Sequence, residues 1–299
     1  RTFATDIGTL GRREGRLTLR HESANGLHLG LSGSLEALTG VESLYFPEFD
    51  DALSNHGVSQ GLDYTRRQNL FGTVGYGGFT LRTGVNARKK ALPTAAYGTV
   101  FGDNRAWVLD EHFFLDTAWE RHLPRGWESR LRAAYDYTSY TGNYPYDWDG
   151  DPETATVVYR DSGVGDWLTG EGQVTGRLGR RHRVTVGLEH RANVRQNQDG
   201  HLLDPNEPQW SDRRQSSTTG LYMQDEIRVH KTLLVNLGLR QDHYGRVGNP
   251  LKPRLAAILQ PSARPTVKLL FGEAFRAPSS DGSLYVTPGL YKANPSIRP

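Results

Sequence analysis

The sequence predicts an all-β chain of about twelve long antiparallel strands joined as consecutive hairpins. Three observations lead there. Side-chain character alternates from residue to residue over long runs, and short connections alternate with long ones. No stretch approaches the roughly 18 apolar residues of a spanning helix, and the mean hydropathy is −0.61. Composition agrees: 34 Gly, 14 Tyr, 10 Phe and 6 Trp in 299 residues favour aromatic strands joined by glycine turns over packed helices.

The alternation is explicit. From Trp127 one face reads Trp127, Leu131, Ala133, Tyr135 and Tyr137, and the other reads Glu128, Arg130, Arg132, Asp136 and Thr138. Phe79, Leu81, Val85 and Ala87 stand likewise against Thr80, Arg82, Asn86 and Arg88. Val184, Val186 and Leu188 oppose Thr185 and Glu189, and Leu233, Val235, Leu237 and Leu239 oppose Asn236 and Arg240. An oily face backed by a charged one suits a soluble sandwich or a transmembrane barrel.

The connections separate the two. Tight turns fall at Asn25-Gly26, Gly77-Gly78, Pro124-Arg125-Gly126, Gly179-Arg180-Arg181, His230-Lys231 and Pro261 to Pro265. Between them lie excursions at 39–61, 89–110, 141–165 and 197–214, a brief one at 245–250, and an unfinished one after Arg276. Six hairpins with short turns at one end and long loops at the other describe an antiparallel transmembrane β-barrel segment. Runs of ten or more residues exceed the five or six usual in soluble sheets. Trp119 and Trp127 flank one tight turn, where an interfacial girdle sits; ordinary packing is the alternative. A propeller is set aside, because its repeat needs four short strands and each period here supplies two long ones. The strand entering Phe275 breaks at Arg276-Ala277-Pro278 with no partner strand following, so the barrel is expected to be incomplete in this stretch.

Several function classes drop out. The net charge of +3 comes from dispersed Lys and Arg, which excludes a nucleic-acid footprint. Zero cysteines exclude disulfides, thiolate metal sites and thiol nucleophiles. His112 and His122 lie ten apart and His182 and His190 eight apart, with no third ligand nearby, and no nucleophile elbow is present. The chain is not expected to be an enzyme, nor to carry a cofactor. Arg1-Thr2-Phe3 opens mid-pattern with no initiator Met or signal peptide, so both ends are expected to be cut from a longer protein.

Five motifs occur in order within four stretches, the first of which holds two: "LYMQDEIRVHKTLLVNLGLRQDHYG" (221–245), "PRLAAILQP" (253–261), "FGEAFRAPSSDGSLY" (271–285) and "NPSIRP" (294–299), preceded by loops "ARKKALPTAAYGTVFGD" (87–103) and "YTGNYPYD" (140–147). In order and spacing they resemble the barrels of TonB-dependent outer-membrane receptors, of the branch with cobalamin, colicin and siderophore receptors. The resemblance covers residues 1–299 as a partial barrel, without the N-terminal plug or the C-terminal closing strands. It implies the outer membrane of a Gram-negative bacterium and energy-coupled uptake of a scarce ligand such as a siderophore or cobalamin. The implied partners are outer-membrane lipid and lipopolysaccharide, the TonB-ExbB-ExbD complex acting through the missing plug, and a small-molecule ligand such as a metal chelate. The alternatives are a TonB-independent porin or adhesion barrel and a soluble secreted β protein. One residue fits the pattern badly: Asp225 shares parity with Leu221, Met223 and Ile227, so either a bulge shifts the register or Asp225 lies at the wet interface.

The candidate ligand contacts are aromatic. Tyr140, Tyr144, Tyr146 and Trp148 crowd one loop, with Tyr97 and Phe101 in the neighbouring one and Tyr45 and Phe46 in the first. Such rings can stack on a planar or macrocyclic ligand, or pack among themselves to hold the loops. Asp147, Asp149, Asp151 and Glu153 alternate like early Ca²⁺ ligands, but Pro152 and Val158 stand where an EF-hand needs Gly and Glu. A looser Ca²⁺ site stays open, and a second cluster, Tyr45, Phe46 and Phe49 with Glu48, Asp50 and Asp51, has the same ambiguity.

Overall fold

A computed structural model describes residues 1–148, 155–204, 206–245, 248–262 and 265–275. The strands are β1 (Thr2–Ile7), β2 (Arg13–Glu22), β3 (His28–Leu38), β4 (Ser43–Tyr45), β5 (Val58–Gln60), β6 (Thr65–Tyr76), β7 (Phe79–Ala91) and β8 (Trp107–Leu123). They continue as β9 (Trp127–Tyr146), β10 (Val157–Leu178), β11 (His182–Leu203), β12 (Asn206–His230), β13 (Leu233–Tyr244), β14 (Leu251–Leu259) and β15 (Val267–Gly272). Among the described residues β4 and β5 pair with each other, and the other thirteen form one antiparallel sheet in chain order, from β1 to β15. The six predicted hairpins are all present, and β1 adds a thirteenth strand ahead of the first. The break at Arg276-Ala277-Pro278 lies outside the described residues.

Turn chemistry follows the sequence. Gly77 and Gly78 join β6 to β7 as a two-residue loop with φ of 57° and 84°, the left-handed pair a tight hairpin demands. Strand length departs from expectation. β10 and β11 run 22 residues and β12 runs 25. At about 3.3 Å per residue a 22-residue strand extends roughly 70 Å, well past a bilayer of about 40–45 Å. The segments 141–165 and 197–214, expected as loops, are therefore mostly strand. Above the headgroups both faces of a strand meet water, so alternation fades while backbone pairing continues.

The chain forms two compact units. The first comprises Arg1–Thr117, Ala134–Trp167 and Asn193–Gln215. Its register places Leu17, Leu31, Leu35, Leu70 and Val85 on one face, and all five are exposed. The opposite face is tied by charge: Arg12 binds Glu36 (2.8 Å), Asp6 (3.3 Å) and Glu14, while Arg67 binds Glu36 at 2.9 Å. An exposed apolar face opposite a self-satisfied polar one is the arrangement lipid requires.

The second unit comprises Ala118–Ala133, Leu168–Ala192 and Ser216–Pro299, of which residues up to 275 are described. Trp127 lies over Gly176 on the side of exposed Leu131, and Trp119 is 40% exposed beside the same turn. Both suit an interfacial girdle. The β12–β13 register runs unbroken from Thr218 to Arg228, so a bulge does not explain Asp225. Instead Asp225 accepts from His182, the first residue of β11, at 2.7 Å, beside the tight turn where the surface is wet.

On the polar side the Tyr222 hydroxyl donates towards Glu171 (2.7 Å) and lies 3.0 Å from Gln173, while Arg240 bridges Glu189 (2.9 Å) and Asp242 (2.8 Å). Tyr222 reaches β10 by lying across Gly187 of β11. A Cβ there would collide with the Tyr222 ring. Glycine thus provides the floor on which one strand's tyrosine bridges to the next strand but one. In the full-length receptor Gly187→Val is expected to lower unfolding stability by about 1–3 kcal/mol through overpacking. Adding Tyr222→Leu should recover part of that loss in thermal unfolding, and equal losses in both variants would contradict the bridge.

Candidate functional site

All eight predicted aromatic residues lie in the first unit, at the ends of strands and loops away from the tight turns. The loop after β3 is shaped by the β4–β5 hairpin, in which Ser43 faces Gln60 and Tyr45 faces Val58. Gly57 closes it with a φ of 71°, and a Cβ there would strike the Phe46 carbonyl. Glycine is the only residue that fits this position. The loop after β7 turns through Tyr97, whose φ of 60° is left-handed. Such a conformation costs a non-glycine residue about 1–2 kcal/mol, so a local contact must hold it.

That contact is Tyr144. The Tyr97 and Tyr144 rings meet edge to face with centroids 5.7 Å apart, and the Tyr144 hydroxyl is hydrogen-bonded to that of Tyr140. Tyr144 is 7% exposed, whereas Tyr97 is 77% exposed. Arg160 donates to the Asn143 side chain at 2.9 Å, and the Val100 amide donates to the Pro145 carbonyl at 2.9 Å, joining the second loop to the end of β9. Phe101 joins it to the first loop: it stacks on Phe49 at 4.5 Å and meets Phe46 edge-on at 5.8 Å.

A second aromatic group extends from the end of β9. Tyr146 stacks on Trp148 at 4.7 Å and approaches Tyr159 at 6.4 Å, and the Trp210 indole donates to the Tyr159 hydroxyl at 2.5 Å. Tyr159 and Trp210 were not anticipated. Both stand in polar stretches above the apolar band, where lipid gives no reason for an aromatic residue, and that was the available signal. Trp148 is 65% exposed.

The rings therefore divide. Tyr140 bonds to Tyr144, and Phe46 and Phe101 pack with Phe49, and these two groups fix the loops. Tyr97 rises into solvent from Tyr144, and Trp148 rises from the group at the end of β9, where Tyr146 backs it. Tyr45 is 57% exposed, donates to Asp50 at 2.9 Å, and makes no ring contact with the other seven among the described residues.

Polar groups brace the same loops. Arg105 binds Asp103 through Nε (3.0 Å) and its terminal nitrogen (2.5 Å) and donates to the Thr156 carbonyl at 3.4 Å. Burial pushes the Asp103 carboxyl up, but the side-chain and backbone hydrogen bonds from Arg105 more than offset it, and the group titrates below the usual carboxylate range. Arg195 binds Asp166 at 2.6 Å, and Arg213 binds Asp199 at 2.7 Å. Among the described residues no three His, Asp or Glu side chains converge as a metal site. Asp149, Asp151 and Glu153 of the suggested Ca²⁺ run lie outside the described residues.

Long antiparallel strands, an apolar face and aromatic loops at the end opposite the tight turns define an outer-membrane β-barrel. The chain belongs to the TonB-dependent receptor-like β-barrel family, which it matches over residues 8–299. That family membership sets aside the soluble sandwich and locates the chain in the Gram-negative outer membrane. The fold is similar to that of a ferric enterobactin receptor from Pseudomonas aeruginosa (16% identity, 92% of this chain and 43% of that one, TM-score 0.64). It is also similar to the ferripyoverdine receptor of the same organism (12% identity, 94% and 43%, TM-score 0.66). A third likeness is the siderophore receptor PirA of Acinetobacter baumannii (15% identity, 92% and 42%, TM-score 0.59). The chain thus spans less than half the length of each. No curated protein matches it in sequence.

The division of rings has a direct consequence. In the full-length receptor Tyr144→Ala is expected to cost about 3 kcal/mol of local stability and to open the 92–106 loop to limited proteolysis. Trp148→Ala should leave the digestion pattern unchanged. A reversed order would show that the base has been misassigned.

Proposed function

We propose that the chain forms part of the barrel of an outer-membrane receptor that captures a scarce ligand at its loops and imports it with energy from the TonB-ExbB-ExbD complex. Residues 8–299 match the barrel throughout, so the plug through which TonB acts belongs to the remainder of the receptor. The ligand class we favour is a ferric siderophore, a reading supported by the three similar siderophore receptors. One observation carries the site assignment: Tyr97 and Trp148 are exposed, each backed by a more buried ring, Tyr144 and Tyr146 respectively. Aromatic faces held rigid in this way bind flat or ring-shaped chelates at low entropic cost. Tyr45 offers a further surface on the first loop.

Stacking contributes about 0.5–1.5 kcal/mol per aromatic pair beyond burial, so Tyr97→Ala combined with Trp148→Ala should weaken binding about tenfold. The test is titration of the full-length receptor with a panel of ferric siderophores and cobalamin, followed by growth under iron limitation. Normal assembly with unchanged affinity would remove these two rings from the site. Uptake that persists after the proton gradient is collapsed would support the TonB-independent porin instead.

A further inference from the structure

Three tight turns of the second unit carry a charge that those of the first unit lack. In the first unit the turns at 23–27 and at Gly77-Gly78 hold no ionisable side chain. In the second, Arg125 stands at the tip between β8 and β9, Arg180 and Arg181 at the tip between β10 and β11, and Lys231 at the tip between β12 and β13. All four are exposed. The six strands are consecutive neighbours in the sheet. At about 4.8 Å per strand the tips therefore recur about every 10 Å and span roughly 20 Å.

The carboxylates beside these turns are engaged elsewhere. Glu120 binds Arg130 at 3.4 Å, Glu128 binds Arg183 at 3.7 Å, and Asp225 binds His182 at 2.7 Å. Glu226 forms no ion pair with the tip residues, and among the described residues none of the four has a carboxylate at ion-pair distance. Arg125 is moreover held at a left-handed φ of 63°. Glycine or asparagine takes that conformation more freely. Tyr97 is held in its left-handed turn by a neighbouring ring, whereas Arg125 has no ion pair or ring contact among the described residues. The turn accepts strain there and presents a cation.

The charge continues on the face turned away from lipid. Arg177 shares its side of β10 with Glu171 and Gln173, which meet the Tyr222 hydroxyl, and Arg228 shares its side of β12 with Tyr222 itself. Both are exposed, and neither has a carboxylate at ion-pair distance among the described residues. The Arg228 amide donates to the Arg181 carbonyl at 2.8 Å, so tip and inner rim form one surface. Lipid headgroups meet only the outer face of a barrel. Cations on the tips and the inner face look into the periplasm, the side to which short turns belong.

A small anion would occupy one tip, whereas a row of roughly 20 Å matches negative charges repeated along a chain. Peptides with free carboxylates, carried at intervals on a polysaccharide, have that chemistry, and the bacterial cell wall places them in the compartment the turns face. We propose that Arg125, Arg177, Arg180, Arg181, Arg228 and Lys231 form a docking rim for the carboxylate-bearing peptides of the cell wall. The inference rests on the family's place in the outer membrane and is independent of what the receptor transports. Each exposed ion pair contributes about two- to threefold in affinity, and salt screens it.

The test uses the full-length receptor in phosphatidylcholine nanodiscs, titrated with soluble cell-wall fragments, the same fragments with their carboxyls amidated, and phosphatidylglycerol vesicles. The wild type should bind the intact fragments and lose affinity as salt rises. The variant Arg125→Gln, Arg180→Gln, Arg181→Gln, Lys231→Gln should bind them about thirtyfold more weakly. Arg125→Lys, Arg180→Lys, Arg181→Lys, Lys231→Arg should bind within a few-fold of wild type. Unchanged affinity in the glutamine variant, or equal binding of the amidated fragments, overturns the proposal. Vesicles bound more tightly than fragments overturn the cell-wall assignment in favour of lipid. Should the quadruple variant fail to assemble, Arg180→Gln with Arg181→Gln carries the test with an expected loss of about fivefold, and no loss there also overturns it.

Discussion

A backbone that crosses lipid must satisfy every N–H and C=O within the protein, because an unpaired group in hydrocarbon costs several kcal/mol. Everything else in this chain follows from meeting that demand with strands. Once each strand is paired on both sides, its side chains point alternately to two different solvents, and the period of two in the sequence becomes an apolar face and a polar face. The apolar face needs no specific partner. The polar face does, and there the chain invests its specificity, in the Arg12–Glu36–Arg67 ties of the first unit and in the Tyr222, Arg240 and Asp242 bonds of the second.

Much of this was legible in the sequence, for physical reasons that also mark where legibility ends. Within the membrane band, side chains such as Leu81 and Val85 against Arg82 and Asn86 report the strand directly, since the two faces differ in solvent. Glycines at Gly77 and Gly78 report the turn, since only they take its φ values freely. Beyond the band the contrast is lost. The upper ends of β10, β11 and β12 were read as loops because both their faces are wet, yet their backbones stay paired. β1 was missed although a short turn with Leu10 and Gly11 left-handed joins it to β2, because that turn carries no Asn-Gly or Gly-Gly pair and falls at the end where long loops were expected.

The aromatic site was half legible. Density of Tyr and Trp located the region, but ring identity alone does not say which ring is the base and which the contact surface. That was decided by pairings between segments distant in sequence: Tyr97 with Tyr144, Phe49 with Phe101, Tyr159 with Trp210. The same holds for charge. Arg66 and Arg67 are identical in sequence, and only the register shows that one is matched by Glu36 while the other faces the lipid side.

The central claim is the two-solvent sheet, and a spin-label accessibility scan along β7 tests it most directly. The chain has no cysteine to interfere. Single cysteines introduced from Phe79 to Ala91 in the full-length receptor, labelled in native-like outer membrane, should give collision rates with oxygen and with a water-soluble nickel chelate that oscillate out of phase with a period of two. Oxygen should lead at Leu81, Val85 and Ala87, and nickel at Thr80, Arg82 and Asn86. Rates without that alternation, or with the two sets exchanged, would contradict the account.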